Sequence, residues 1–275
     1  MKVMAKDPAM NVRSLVGAAI DKAAVPPVVD RASWQAELDA LRVQEKAHTR
    51  RGDAIAATRR RLPMVEVDAN IKLIGPRGPT TLLETFEGRR QLIAWYFMWQ
   101  TGQVAAAVCE GCTFYTSQMQ ELSYLHSRNV TYATFCLGPY EESARYRDFM
   151  GWQQPWYSVE GSTEALHVSR KFALVFYLRQ GDRVFETYRT TGRGVEAMCP
   201  SYGLLDMTVY GRQETWEDSP EGWPSFEGHP YRSSHVGAAV EGVGGRPIAQ
   251  WSRLEAGRSD DIGTQASSGP HHCCE

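Results

Sequence analysis

No run of about 20 apolar residues occurs in this 275-residue chain, so no membrane-spanning helix is expected and a membrane is excluded as partner. Excess charge is missing as well: 30 Lys and Arg against 32 Asp and Glu leave a formal net charge of −2. That balance provides no basic field, so nucleic acid is not an expected partner. The one local concentration, Arg50, Arg51, Arg59, Arg60 and Arg61, sits in a helical pattern and reads as a solvated face. Residues 1–30 lack the apolar h-region of a secretory leader, which makes the cytoplasm the expected location. Internal repeats are absent. Cysteine is sparse, at six residues. In the cytoplasm structural disulfides are not expected, so a C-x-x-C pair reads as redox or metal chemistry.

Apolar patterning divides what is present into four parts. Residues 1–30 read as a flexible arm that closes on Pro26-Pro27. Residues 31–62 read as a helical extension, in which Trp34, Leu38, Leu41 and Glu45 recur at i, i+4, i+7 and i+11 until Pro63 stops the pattern. Residues 212–275 turn to Glu, Ser, Gly and Pro, and are expected to be largely disordered.

Residues 63–211 hold the folded domain. "MVEVD" alternates like a short strand, and "IGPRGPTTLLETFEGRR" is turn-rich with one helical turn. "QLIAWYFMW" and "VTYATFCL" are continuous apolar runs of strand length, as buried central strands should be. Between them Tyr115, Met119, Leu122 and Leu125 recur at helical spacing. "YEESARYRDFMGW" reads as a second helix with a glycine break, and "PWYSVEG" as a short extended piece. "FALVFYLRQGDRVFETYRTT" reads as a hairpin, and "GVEAMCPSYGLLDMTVYG" as a last helix interrupted near Pro200. The order β-loop-α-β-α-β-β-α predicts an α/β fold with a mixed central sheet and helices on both faces.

The chemistry concentrates at Cys109-Glu-Gly-Cys112, where a loop after the first central strand meets a helix. Unpaired backbone N–H groups and the helix dipole stabilise a thiolate there, which would make Cys109 the nucleophile. Cys112, one turn on, is placed to resolve a mixed disulfide. A closed zinc site needs four ligands, and only one pair exists in the domain. A copper(I) site on Cys109 and Cys112, completed by His126 or His167 and with Cys136 as a further thiolate, is the alternative. The terminal "HHCCE" could also chelate a metal.

Four stretches carry a resemblance to a known family. "RRRLPMV", "LLETFEGRRQLIAWYFMW", "CEGCTF" and "RDFMGWQQPWYS" resemble the bacterial thioredoxin-like family catalogued as domain of unknown function 899, as does "LLDMTVYGRQE". That family is grouped near the alkyl hydroperoxide reductase and thiol-specific antioxidant proteins, and the resemblance runs from about Trp34 to Glu214. It implies a thioredoxin-like fold and no particular reaction. Tyr96, Ser117 and Cys136 depart from the His, acidic residue and Ser that the family leads one to expect, as does "EALHVSRKF" before the hairpin. Thioredoxins carry a cis-proline before the third core strand; Val168, Ser169, Arg170 and Lys171 stand there instead. Arg170 is the candidate stabiliser of an anionic thiolate or substrate. Ala106 replaces the threonine that peroxiredoxins place three residues before their reactive cysteine.

These readings predict a thiol-dependent oxidoreductase with catalytic residues Cys109, Cys112 and Arg170 and no cofactor. Its substrate class would be a disulfide, a peroxide or a small thiol, presented by a small molecule or a protein. The alternatives are a copper(I) protein and a thioredoxin-fold binding module without turnover.

Overall fold

In the computed structural model the described residues are 23–169, 171–225, 231 and 246–263. The chain begins with the long helix α1 (Arg31–Arg59). Three short strands follow, β1 (Val65–Val67), β2 (Lys72–Gly75) and β3 (Gly78–Thr81). The central unit is β4 (Gln91–Phe97), α2 (Glu110–Gln118), α3 (Ser123–Ser127), β5 (Val130–Cys136) and α4 (Tyr140–Met150). It continues through β6 (Trp156–Ser158), β7 (Ala173–Gln180), β8 (Arg183–Thr190) and α5 (Pro200–Leu205). A final short helix, α6 (Trp251–Glu255), belongs to the carboxy-terminal segment.

All eight strands form one sheet in the order β1-β8-β7-β4-β5-β6-β2-β3. β4 pairs in parallel with β5, and antiparallel with β7, which pairs antiparallel with β8. The stretch β8-β7-β4-β5, with α2 joining the two parallel strands, is the arrangement of a thioredoxin-like fold. The β2–β3 hairpin was not legible in "IKLIGPRGPTT". Pro79 cannot donate a ladder hydrogen bond, yet β3 lies at the edge of the sheet, where proline is tolerated.

The period-two alternation of the central strands feeds two cores. Trp95 and Phe97 of β4 join one cluster with Cys109, Cys112, Tyr146, Phe149 and Trp156. Leu92, Ala94 and Tyr96 point the other way, into a cluster with Leu82, Phe86, Phe135 and Leu166. α2 and α4 both supply the first cluster, whereas the short 3-10 helix Glu84–Phe86 covers the second. The expected last helix is interrupted at Pro200, and its first part is a 3-10 stretch, Gly192–Met198, before α5. Pro200 cannot continue a helix through Cys199, but it suits the first turn of a new one.

Two further features concern the ends. α1 has no buried residue, so its apolar stripe does not pack on the domain. Its approach touches the fold where Ala24 N–H donates to Gly222 O (3.2 Å), and its far end where the Arg59 guanidinium lies 5.3 Å from the Tyr188 ring centroid. Arg253 donates to Met150 O (2.7 Å) and Arg258 to Asp148 O (3.0 Å) and Phe149 O (3.1 Å), capping the carboxyl end of α4. Tyr231 and Ile262 are buried in the first cluster. The aromatic residues Trp216, Trp223, Tyr231 and Trp251 were the signal against disorder, because a disordered composition is poor in such groups.

Candidate active site

Cys109 is the N-cap of α2, and its Sγ accepts a hydrogen bond from the Cys112 N–H at 3.4 Å. A helix start that leaves backbone N–H groups unpaired has found a sulfur to receive one of them. Two threonines of α2 itself tie the first turn to its surroundings. Thr113 Oγ1 bonds Cys109 O (2.8 Å) and the Tyr146 hydroxyl (2.9 Å). Thr116 Oγ1 donates to Cys112 O (2.7 Å) and accepts from Trp95 Nε1 (2.9 Å). Gln250, fully buried, donates to Ala105 O (2.7 Å) and to the Tyr146 hydroxyl (2.8 Å). One glutamine from the carboxy-terminal segment thus braces both the loop before Cys109 and the partner of Thr113.

Cys109 and Cys112 are buried, at 4% and 1% exposure, yet both line a cavity of about 470 Å³. Its other walls are aromatic and charged: Tyr115, Phe172, Tyr202, Trp216 and Tyr231, with Arg193, Glu196, Arg212 and Glu214. The charges are paired. Arg212 bonds Asp206 (2.7 Å) and Glu196 (3.1 Å), and Arg193 bonds Glu196 (2.8 Å). Both guanidinium groups also lie over rings, Arg212 at 4.1 Å from the Tyr202 centroid and Arg193 at 4.3 Å from Trp216. The Tyr231 hydroxyl meets those of Tyr115 (3.4 Å) and Tyr202. Burial raises the pKa of all three tyrosines, so they remain hydroxyls at neutral pH.

The remaining thiols differ. Cys136 ends β5 wholly inside the core, and desolvation pushes its thiol up to about 12, against opposing hydrogen bonds from Gly138 N–H and Ser143. Cys199 precedes α5; burial raises its thiol, and the N–H groups of Tyr202 and Ser201 together with Arg212 offset part of that. None of Cys109, Cys112, Cys136 and Cys199 is in a disulfide.

The metal set of the copper(I) alternative is not gathered among the described residues. Among the described residues, no three or more His, Cys, Asp or Glu side chains form a group able to hold a metal ion, so neither His126 nor His167 joins the cysteine pair. His126 lies in α3, and its Nε2 is buried without a hydrogen-bond partner. His167 is exposed in a left-handed turn, φ 50°, with its carbonyl accepting from Arg189 (2.5 Å). Arg170 and the "HHCCE" end lie outside the described residues. Arg193 and Arg212, by contrast, are arginines that line the cavity and that the sequence did not single out.

A mixed sheet with a two-cysteine motif opening the helix between its parallel strands defines a thioredoxin-like protein. The chain belongs to the family described as "Bacterial protein of unknown function (DUF899)", whose profile matches residues 23–231. No curated protein matches it. Among solved structures it is similar to a protein described as a thiol:disulfide interchange protein DsbE from Chlorobium tepidum. That match has 11% identity and a TM-score of 0.36, and covers 50% of this chain and 93% of that one. It is also similar to thioredoxin from Wuchereria bancrofti, at 17% identity and a TM-score of 0.33, covering 51% of this chain and 95% of that one. A secreted Mycobacterium tuberculosis disulfide oxidoreductase matches at 12% identity and a TM-score of 0.32, covering 48% of this chain and 92% of that one. No helix among the described residues is long and apolar enough to cross a membrane.

Proposed function

We propose that the protein is a thiol oxidoreductase that reduces a small disulfide or peroxide with Cys109 and Cys112. The observation that supports it is the placement of both thiols at the start of one helix and on the wall of one cavity. For a disulfide RSSR′, the Cys109 thiolate attacks one sulfur and R′S⁻ leaves. The Cys112 thiolate then attacks Cys109 Sγ, RS⁻ leaves, and a Cys109–Cys112 disulfide remains. Two electrons pass from the protein to the substrate, and the two protons lost by the cysteines end on the product thiols. An external dithiol returns the protein to its reduced form.

Burial sets the size of the substrate. A protein disulfide must bring its own backbone to the nucleophile, and a cysteine residue only 4% exposed favours a small molecule over it. A small molecule that fits about 470 Å³ can reach it. The paired arginines and stacked rings favour an aromatic or apolar substrate over a free anion, since neither guanidinium lacks a carboxylate. Reaction of the fully reduced protein with a small aromatic disulfide, followed by thiol counting, tests the reading. Two thiols lost per disulfide, with Cys109 and Cys112 linked in the peptide map, is the expected result. Unchanged thiols would overturn it.

A further inference from the structure

α1 runs for 29 residues without a single buried side chain, and Trp34, Leu41 and Ile55 along it are 43%, 49% and 40% exposed. Helices in proteins take most of their stability from packing an amphipathic face, and α1 packs no such face on its own domain. Positions 34, 38, 41, 45, 48, 52, 55 and 59 alternate by four and three, which is the a/d spacing of a two-helix seam. The apolar Trp34, Leu38 and Leu41 stand at one end, a polar and small centre follows, and Ile55 and Arg59 close the other end.

We propose that α1 pairs antiparallel with α1 of a second copy, making the chain a homodimer. Antiparallel pairing about the point between Lys46 and Ala47 sets every a position against a d position. Leu38 then meets Ile55, and Leu41 enters the gap over Gly52, where a Cβ would find nothing within 4 Å. Glu45 faces His48, and Trp34 faces Arg59. Parallel pairing would instead set Glu45 on Glu45 and Arg59 on Arg59. The charges of the two halves also match. Residues 31–45 hold three acids and two bases, net −1, whereas 46–59 hold four bases and one acid, net +3.

A second feature lies where the partner helix would end. A cleft of about 770 Å³ opens at the foot of α1, with Leu62, Met64, Leu174, Phe176 and Tyr188 on its walls. α1 is about 43 Å long at 1.5 Å per residue, so the partner's Trp34 reaches Arg59 at that cleft. Val28 and Val29, exposed just before α1, carry the partner's apolar surface over it.

Sedimentation velocity of the full chain between about 1 and about 100 µM tests the pairing. A dimer is expected, together with at least a tenfold rise in dissociation constant for Leu38→Asp/Leu41→Asp. Glu45→Lys should weaken the dimer by replacing the carboxylate that faces the partner copy's imidazole with a cation, and His48→Glu added to it should restore affinity. A monomer across the whole range would overturn the proposal. So would a dimer that survives the double aspartate variant undiminished, and a Glu45→Lys loss that His48→Glu leaves unrepaired would overturn the antiparallel register. Near-ultraviolet signals of the core tryptophans, read in each variant, separate dissociation from loss of the fold.

Discussion

α1 and α2 are both α-helices, but they owe their stability to different sources. α2 has nine residues, six of them buried, and includes Gly111, Thr113 and Thr116, none a strong helix former. Alone it would not persist, and it is held by the sheet beneath it and by hydroxyl bonds to its carbonyls. α1 has 29 residues and none buried. It is rich in Ala and Arg, and Asp30 caps it by accepting from Ala32 N–H (2.9 Å) and Ser33 N–H (3.0 Å). The Ser33 and Ala32 hydrogen bonds also hold the Asp30 carboxyl below its ordinary pKa. The proposed reactive pair sits on the helix whose geometry is set by tertiary contacts, which is where fixed positioning is available.

The largest contrast is expected from removing the site's sulfur. Cys109→Ser should cut single-turnover disulfide reduction by roughly 10³-fold or more, while Cys112→Ser should trap a mixed disulfide on Cys109, read by intact mass. Neither change should alter α1. Residual reduction in Cys109→Ser near the wild-type rate would move the chemistry off α2.

Alkaline pH should separate the two regions next. The folded Cys136 thiol, pushed up to about 12 by burial, holds its proton more tightly than in the unfolded chain, where the ordinary value is about 9. Its contribution is therefore complete below about pH 9 and is lost as pH rises toward about 12, amounting to roughly 4 kcal/mol across that window. Buried tyrosines such as Tyr177, raised by desolvation to about 12, slope the same way. The informative quantity is thus the wild type minus Cys136→Ala. Denaturant titrations at several pH values should show a shallower decline in the variant, and equal slopes would contradict the assignment of Cys136 to the dry core.

Removing a single brace gives a smaller effect. Gln250→Ala removes one donor each from Ala105 O, which keeps Val108 N–H, and from the Tyr146 hydroxyl, which keeps Thr113, and should cost about 0.5–1.5 kcal/mol. Hydrogen exchange should rise in the 105–118 region and stay unchanged in α1. The smallest effect belongs to the long helix, where Asp30→Ala should cost about 1 kcal/mol of local helix stability. It should speed exchange in the first turns of α1 and leave the rate of Cys109 alkylation as it was. A coupled change in both readouts would show that the two helices are not independent.

Much of the architecture could be read in advance because periodicity and punctuation carry it. "QLIAWYFMW" and "VTYATFCL" are too short and too apolar to be anything but buried strands, and the paired runs around Gln180-Gly181-Asp182 form the hairpin β7–β8. β2 and β3 escaped notice because Gly75, Gly78 and Pro79 mimic a plain loop, and only their place at the sheet edge makes them strands. The stripe through Trp34, Leu38 and Leu41 was legible as well, but which surface it faces was not.

The candidate site divides along the same line. The C-x-x-C spacing and the helix that follows are local facts, and they placed Cys109 and Cys112 on one turn without any knowledge of the fold. The cavity around them is assembled from residues 109–115, 172, 192–216 and 231. Its glutamine brace comes from residue 250, 141 positions after Cys109. No local pattern announces such contacts, because they depend on where the chain returns and not on what stands beside it. The sequence by itself determined the helices, the central strands and the sulfur pair through short-range propensity and spacing. Only the tertiary structure decided that the pair is buried, walled by aromatics and paired charges, and kept apart from Cys136 and the histidines, since burial arises from long-range packing.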